Sequence, residues 1–161
     1  MTQQRSKKAK PSPASAVVSN RRAHFDYELS DHILAGMVLS GAKVRAVRDG
    51  RVQLKGAYVV VRHNELWLQN ASFSIKNGGN DGENAIDTSP IKLLVKKKQI
   101  EEFMRRKQDG YTIVPTKIFA GRRFIKVEIA LGRGKKEYDK RETLKRRESD
   151  RDAQRAIKGA R

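Results

Sequence analysis

Apolar and polar residues alternate along much of the chain between residues 20 and 133, and this alternation is typical of strands that bury one face. It is clearest near the end of that region, where Ile125, Val127, Ile129 and Leu131 are separated by mostly polar residues. The same pattern predicts strands over residues 25–29, 33–39, 52–61, 66–75, 111–119 and 124–131.

Two short segments have the spacing of helices instead. Residues 41–50 place Val44 and Val47 on one face, and Gly50 follows where a glycine commonly ends a helix. Residues 96–108 are predicted to form the second helix, because acidic residues come early and basic residues late. Its apolar stripe consists of Ile100, Phe103 and Met104. Residues 76–90 are rich in glycine and asparagine, and we expect a loop there.

These elements together predict a mainly β fold with short helices. Several strands with alternating burial, within about 110 residues, favour a small antiparallel barrel. Such a barrel closes on itself and therefore leaves no open edge strand. We expect this closed barrel to occupy residues 20–133.

The two ends of the chain lack a pattern that could form a core. Residues 1–19 are rich in serine, alanine, proline and lysine, which predicts a disordered basic arm. Residues 134–161 form a basic tail with glutamate–arginine pairs four residues apart, which favour a helix. No apolar face could hold that helix on a core. We therefore predict a flexible exit at residues 132–134 and a tail that is disordered when free and helical in an anionic channel.

The charge of the chain narrows the class of partner. The chain carries 36 lysines and arginines against 18 acidic residues, a net charge of +18. Residues 1–22 hold six basic and no acidic side chains, and residues 134–161 hold eleven basic and six acidic ones. Because basic side chains that neutralise phosphates release condensed counterions, a surplus of this size indicates a polyanionic partner such as RNA.

Other kinds of chemistry find little support in the residues. The chain has no cysteine, which excludes disulfides and cysteine-based metal or nucleophile sites. Its three histidines lack metal-ligand spacing, and no hydrolase, zinc-protease or phosphate-loop motif occurs. We therefore expect no enzyme activity, no metal and no cofactor. Neither a signal peptide nor a long apolar run is evident, so we expect a cytoplasmic protein without membrane association.

Three basic clusters are candidates for RNA contact, although each could instead be an ordinary solvated charged surface. The first lies where the arm meets the barrel and consists of Asn20, Arg21, Arg22 and His24. Arginine binds phosphate through paired hydrogen bonds, and asparagine reads base edges. The second is a face of the first helix, whose cations could follow an RNA backbone. It consists of Lys43, Arg45 and Arg48.

The third cluster is the tail, where acidic residues are interleaved with basic ones. Tyr138 could stack on a base, an interaction worth roughly 1–3 kcal/mol. A tail of this composition is also commonly no more than a disordered extension. Its basic members are Lys135, Lys136, Lys140, Arg141, Lys145, Arg146, Arg147 and Arg151.

Six motifs between residues 20 and 148 carry a resemblance to a known family. They are NRRAHFDY at 20–27, AGMVLSGAKVRAVRDG at 35–50, ELWLQNASFS at 65–74, KLLVKKKQIEEF at 92–103, GYTIVPTKIF at 110–119 and KVEIALGRGKKEYDKRETLKRRE at 126–148. In these motifs the chain resembles the SmpB family of SsrA-binding proteins. The last motif is the most specific of the six.

The resemblance implies an OB-like barrel that binds transfer-messenger RNA (tmRNA) at its tRNA-like domain. It also implies delivery to stalled ribosomes by a monomer without cofactors, with the tail in the small-subunit decoding centre and the empty mRNA channel. By position it assigns RNA contact to the first two clusters and to Lys92. It assigns decoding-centre contacts to Lys135, Lys136, Tyr138, Asp139, Lys140, Arg141, Lys145, Arg146 and Arg147.

Four residues depart from the pattern of that family in its RNA-facing part. Lys43 stands where the family usually has glutamate, and Ala46 stands where it usually has serine. Ser89 and Ile91 lie in a stretch where the family usually has arginines. The reversed charge at Lys43 predicts a cation that seeks phosphate.

Two other functions remain open on the residues. One is a ribosomal or single-strand RNA-binding OB protein unrelated to ribosome rescue. The other is an RNA-processing enzyme, which would have to turn over an RNA substrate repeatedly. The RNA that co-purifies with the protein would separate the first of these from a tmRNA-binding factor.

Overall fold

The computed structural model describes residues 16–76 and 84–136, together with residues 141, 145, 146, 148–152 and 155 of the tail. Strands predominate, with short helices between them, as the sequence predicts. The strands are β1 (Ala16–Ser19), β2 (Tyr27–Met37), β3 (Val52–Gln53), β4 (Tyr58–Arg62), β5 (Glu65–Gln69), β6 (Ser72–Lys76), β7 (Asn84–Asp87), β8 (Ile91–Leu94), β9 (Thr112–Ala120) and β10 (Ile125–Gly134). The helices are α1 (Arg21–Asp26), α2 (Gly41–Arg48) and α3 (Lys97–Gln108).

Seven of these strands form one antiparallel sheet in the order β1-β9-β10-β2-β8-β5-β4. The longest pairing joins β2 to β10, from Gly36 opposite Lys126 to Tyr27 opposite Gly134. A further antiparallel pairing, Val59 with Ile113, also joins β4 to β9. The remaining strands β3, β6 and β7 form a three-stranded sheet of their own.

Alternate residues of the strands point into one hydrophobic core. On β10 the side chains of Ile125, Val127 and Ile129 are buried, whereas Lys126 is exposed. Burial of side chains of this size is worth about 1.5–3 kcal/mol each, so the alternation holds the sheet on the core. The largest fully buried side chains include Phe73, Phe103, Leu66, Leu68, Ile113 and Ile118.

Both predicted helices are confirmed, with small changes at their ends. α2 begins after the N-cap Ser40, whose side chain accepts a hydrogen bond from the backbone N–H of Lys43. It ends before Gly50, which has a φ of +69°, a backbone angle that favours glycine. α3 buries Phe103 against the core, but Met104 is 41 % exposed. The apolar stripe of α3 is therefore narrower than predicted.

Two strands that the sequence predicts as continuous are each broken by a residue with positive φ. Gly56 (φ +76°) lies between β3 and β4, and Asn70 (φ +57°) lies between β5 and β6. The side-chain amide of Asn70 donates a hydrogen bond to the Gly56 carbonyl, at 3.2 Å. The two breaks therefore lie side by side. At this corner the chain passes from the seven-stranded to the three-stranded sheet, which periodicity alone does not reveal.

The predicted loop at residues 76–90 is wrong in its second half. Asn84–Asp87 form β7, which pairs with β6 through Phe73 opposite Asp87 and Ile75 opposite Ala85. The four residues of β7 are too few to show a clear apolar alternation. Their one large apolar side chain, Ile86, is 72 % exposed. Residues 77–83 lie outside the described residues.

Strands extend beyond residues 20–133 at both ends. β1 lies within the predicted disordered arm and pairs with β9, with Val18 opposite Ile118. Phe25 and Asp26, predicted as the beginning of a strand, instead belong to the capped helix α1, Arg21–Asp26. The predicted flexible exit is wrong as well, because residues 132–134 belong to β10. A Cβ atom on Gly132 would lie 3.1 Å from the Tyr27 side chain, so this glycine permits close strand packing.

From residue 141 onward, the tail residues that the structure describes are all helical, and their side chains are exposed. This agrees with the helix-forming pairs in the sequence. That the tail is disordered when free and orders in a channel remains a prediction.

Candidate RNA interface

The first predicted cluster begins with a residue that serves the fold. Asn20 is buried, and its side-chain amide donates hydrogen bonds to the carbonyls of Leu54 (3.0 Å) and Pro115 (2.9 Å). Its side-chain oxygen caps α1 by accepting a hydrogen bond from the backbone N–H of Ala23, at 3.2 Å. While these bonds hold, the side chain of Asn20 cannot make the predicted hydrogen bonds to a base edge. Its observed role is to fix the start of α1.

The rest of this cluster is displayed on the surface of α1. Arg21, Arg22 and His24 are exposed, while Ala23 is buried and anchors the helix. Arg22 forms an ion pair with Asp26 one turn later, with a distance of 2.8 Å between Nε and Oδ2. Because this pair lies at the surface, it is worth little stability, and its energy does not prevent Arg22 from turning to a phosphate.

The base of the tail lies directly against α1. The backbone N–H of Lys135 donates a hydrogen bond to the Asp26 carbonyl at 2.9 Å, and its ammonium group donates to the His24 carbonyl at 3.2 Å. In the sequence, α1 and the base of the tail are more than a hundred residues apart, and they were predicted as two separate clusters. The structure joins them, so the cations of α1 and the beginning of the tail form one surface.

His24 is the titratable group of this surface. Partial desolvation of its ring, followed by the positive charges of Lys117 and His32, lowers its pKa below the ordinary value, and Lys135 acts in the same direction. Glu128 opposes them. Neutral His24 therefore stands among cations, where a bound phosphate would favour its protonated form.

The second predicted cluster is divided by the structure. Arg45 and Arg48 are exposed on α2, as predicted. The guanidinium Nη2 atom of Arg48 donates a hydrogen bond to the carbonyl of Arg122 at 3.4 Å, which ties α2 to the turn between β9 and β10. α1 and α2 both contact β9, so the two helices pack against the same strand.

Lys43, in contrast, is buried. The sequence predicts a cation there that seeks phosphate, but the structure shows one that is directed to partners within the protein. Its side chain is only 7 % exposed, and its ammonium group lies 3.2 Å from a carboxylate oxygen of Asp87. The same group donates a hydrogen bond to the Ser89 hydroxyl at 2.6 Å and lies 5.3 Å from the centre of the Phe73 ring. Lys43 therefore fastens α2 to the end of β7.

The carboxylate of Asp87 is well stabilised in its charged form. Hydrogen bonds from the side chain and the backbone N–H of Ser89, and then the ammonium group of Lys43, hold the pKa of Asp87 below its ordinary value. Two of the four departures from the family pattern, Lys43 and Ser89, thus meet in one cluster. The other two, Ala46 and Ile91, are buried in the core.

Lys92 lies apart from the two helices, on the outer face of the seven-stranded sheet. It is opposite Trp67 on β5, and its ammonium group forms an ion pair with Glu65. Both side chains are more than a third exposed, so the pair is weak and open to competition from a phosphate.

The tail residues are only partly within the described part of the chain. Lys136, Arg141, Lys145 and Arg146 are exposed, and Lys135 is half-buried against α1. The predicted contacts at Tyr138, Asp139, Lys140 and Arg147 lie outside the described residues.

The turn between β9 and β10, residues 121–124, was not among the clusters predicted for RNA contact, although Arg122, Arg123 and Phe124 are all exposed there. The sequence does show two arginines and an aromatic residue where the predicted strands 111–119 and 124–131 meet, without an acidic residue beside them. The hydrogen bond from Arg48 to this turn could not be foreseen, because it joins residues 74 positions apart.

No group of three or more histidine, cysteine or acidic side chains is placed to hold a metal ion among residues 16–76, 84–136 and the described tail positions. Within the same residues, no helix is long and apolar enough to cross a membrane.

Comparisons with known proteins agree with one another. The family model for SmpB protein matches residues 17–159. An SsrA-binding protein of Streptococcus suis is 41 % identical over 145 residues, which is 89 % of this chain and 93 % of that protein. An SsrA-binding protein of Halalkalibacterium halodurans is 42 % identical over 143 residues, or 88 % of this chain and 92 % of that protein.

A solved structure is also similar to this one. It is described as "tmRNA-SmpB: a journey to the center of the bacterial ribosome" and superimposes with a TM-score of 0.61. The sequence identity is 34 %, and the match covers 74 % of this chain and 85 % of that chain.

Proposed function

Because the chain belongs to the SmpB protein family, we propose that it binds tmRNA at the tRNA-like domain and delivers it to ribosomes stalled without a usable codon. The relatives are SsrA-binding proteins, and the description of the similar solved structure names tmRNA, SmpB and the bacterial ribosome. The net charge of +18 suits a polyanionic partner of this kind. Action on ribosomes would take place in the cytoplasm.

The observation that carries the proposal is the contact between α1 and the base of the tail. Lys135 donates hydrogen bonds to the carbonyls of both His24 and Asp26, so the tail leaves the domain beside the exposed cations of α1. An RNA bound on α1 would thus have a fixed position relative to the tail. This arrangement suits an adaptor that holds one RNA and places its tail in another.

We assign the two functions to different parts of the chain. Arg21, Arg22 and His24 on α1, with Arg45 and Arg48 on α2, would bind the tRNA-like domain. Asn20 and Lys43 would act indirectly, by fixing the positions of the two helices. The tail would occupy the small-subunit decoding centre and the empty mRNA channel as a helix.

The scaffold would be an OB-like barrel closed by the contact between β4 and β9. Support for this comes from the antiparallel pairing of Val59 with Ile113, which links β4, the last strand of the sheet order, to β9, the second strand. One monomer would bind one RNA, and no catalytic step by the protein is part of the proposal.

The test separates RNA binding from action on the ribosome. The full chain and a variant truncated after Lys136 would be compared in binding to the tRNA-like domain, and in tmRNA-dependent tagging on ribosomes with truncated mRNA. We expect equal binding, and tagging only by the full chain. Loss of binding on truncation would refute the assignment to separate parts, and tagging by the truncated chain would refute the role of the tail.

A further inference from the structure

The turn between β9 and β10 has a fixed geometry. The backbone N–H of Gly121 donates a hydrogen bond to the Phe124 carbonyl at 2.9 Å, directly after the last strand pair, Ala120 with Ile125. A Cβ atom at Gly121 would lie 2.7 Å from that carbonyl oxygen, so the close approach requires glycine. The two residues between them, Arg122 and Arg123, are therefore displayed from a preorganised turn.

The exposed side chains of this turn match the chemistry of RNA. Phe124 is 71 % exposed, so its ring contributes little to the core that the strands on either side enclose. Arg122, Arg123 and the following exposed residue Lys126 are cations, and residues 120–127 include no acidic residue. Cations bind phosphates, and an exposed aromatic ring offers a face on which a base can stack.

The turn is continuous with the proposed RNA-binding face of α2. Arg48 reaches the carbonyl of Arg122 at 3.4 Å, so the guanidinium groups of α2 and those of the turn belong to one basic surface. Positive charge on both sides of the ring would repel a basic protein surface, including a second copy of this chain. The same charge attracts RNA.

We propose that the turn at residues 121–124 is a further RNA contact, in which an unpaired base stacks on Phe124 while Arg122 and Arg123 bind its neighbouring phosphates. The RNA is the one held by α2, the tRNA-like domain, and the inference therefore rests on the proposed function. Phe124 is the residue that distinguishes this contact from general attraction between charges, because stacking depends on the ring.

Equilibrium binding of the tRNA-like domain over a series of KCl concentrations tests the proposal with the full chain. Phe124→Leu keeps an apolar side chain but removes the ring, and we expect about tenfold weaker binding with an unchanged salt slope. Arg122→Gln with Arg123→Gln should lower the slope of log K against log [KCl] by roughly 0.7–0.9 for each lost phosphate contact.

Two controls keep the test specific. Met104→Ala truncates an exposed apolar side chain on α3, and Lys97→Gln with Lys98→Gln removes two positive charges at the beginning of the same helix. We expect Met104→Ala to leave affinity and slope unchanged, and the lysine pair to lower the slope less than the arginine pair does. Thermal melting should show all variants folded, since each altered side chain is exposed.

The outcomes discriminate between the inference and the function on which it rests. If the wild-type chain binds the tRNA-like domain and Phe124→Leu binds it with the same affinity, the stacking contact alone is overturned. A change of oligomeric state in Phe124→Leu, without a change in RNA affinity, would overturn it in favour of self-association. If the wild-type chain does not prefer the tRNA-like domain to an unrelated RNA of equal length, the proposed function itself fails.

Discussion

Reversal of the charge at Lys43 should destabilise the fold and should not act through a lost phosphate contact. Removal of one partner from a buried ion pair typically costs about 3–5 kcal/mol. The Lys43 side chain is 7 % exposed, but that of Asp87 is 34 % exposed, so water recovers part of the loss. We therefore expect Lys43→Glu, which sets two carboxylates against each other, to cost roughly 2–3 kcal/mol.

Thermal denaturation, followed by circular dichroism, measures this cost. A loss of that size should lower Tm by about 10 °C in a domain of this length. The double variant Lys43→Glu with Asp87→Lys restores opposite charges, and most of the lost stability should return. Asp87→Asn is the matched control, because it keeps the shape and removes only the charge. The Tm of Asp87→Asn should lie between that of the wild type and that of Lys43→Glu.

RNA binding separates this account from a direct role for Lys43. Lys43→Gln should leave the salt slope of binding to the tRNA-like domain unchanged, because the buried ammonium group contacts Asp87 and Ser89. A Tm of Lys43→Glu within 2 °C of the wild type (roughly 0.5 kcal/mol), or a slope lowered by about 0.7–0.9 in Lys43→Gln, would refute the reasoning.

Three further predictions follow from the same structure. The free protein should lose stability as pH falls below 6.5, because the lowered pKa of folded His24 lets the unfolded chain take up the proton first. RNA affinity should rise over the same pH range. The variant His24→Gln should abolish the first effect in melting titrations and the second in binding titrations. Asn20→Asp should cost about 2–4 kcal/mol in denaturant unfolding, because two buried carbonyls lose their donor. Gly132→Ala should cost roughly 1–3 kcal/mol by overpacking against Tyr27, and an unchanged midpoint would contradict that reading.

The parts of the fold that were predictable are those in which local pattern and burial agree. From Ile125 to Ile129, β10 alternates buried with more exposed side chains as its sequence does, and α2 ends two residues before the glycine that marks its end. Gly56 indicates at most a bulge within one strand, and neither it nor Asn70 was predictable as a strand end, because apolar residues continue on both sides of each. The cause of both breaks is tertiary: the chain passes there from one sheet to another.

The candidate site was predictable in its residue types and less so in its geometry. The exposed cations of α1 and α2 follow from composition and spacing. The burial of Asn20 and Lys43 does not, because it depends on partners such as Pro115 and Asp87 that are far away in the sequence. A charged side chain identifies a candidate for RNA contact, but only its packing shows whether the charge is free to act.

The proposed function is that this chain selects one tRNA-like RNA and carries it to the ribosome. Its most direct test is to purify the full chain from its own cells under mild salt and to sequence the RNA that remains bound. We expect one strongly enriched RNA with a tRNA-like domain. A broad mixture of messenger and ribosomal fragments, in the proportions of total RNA, would contradict it.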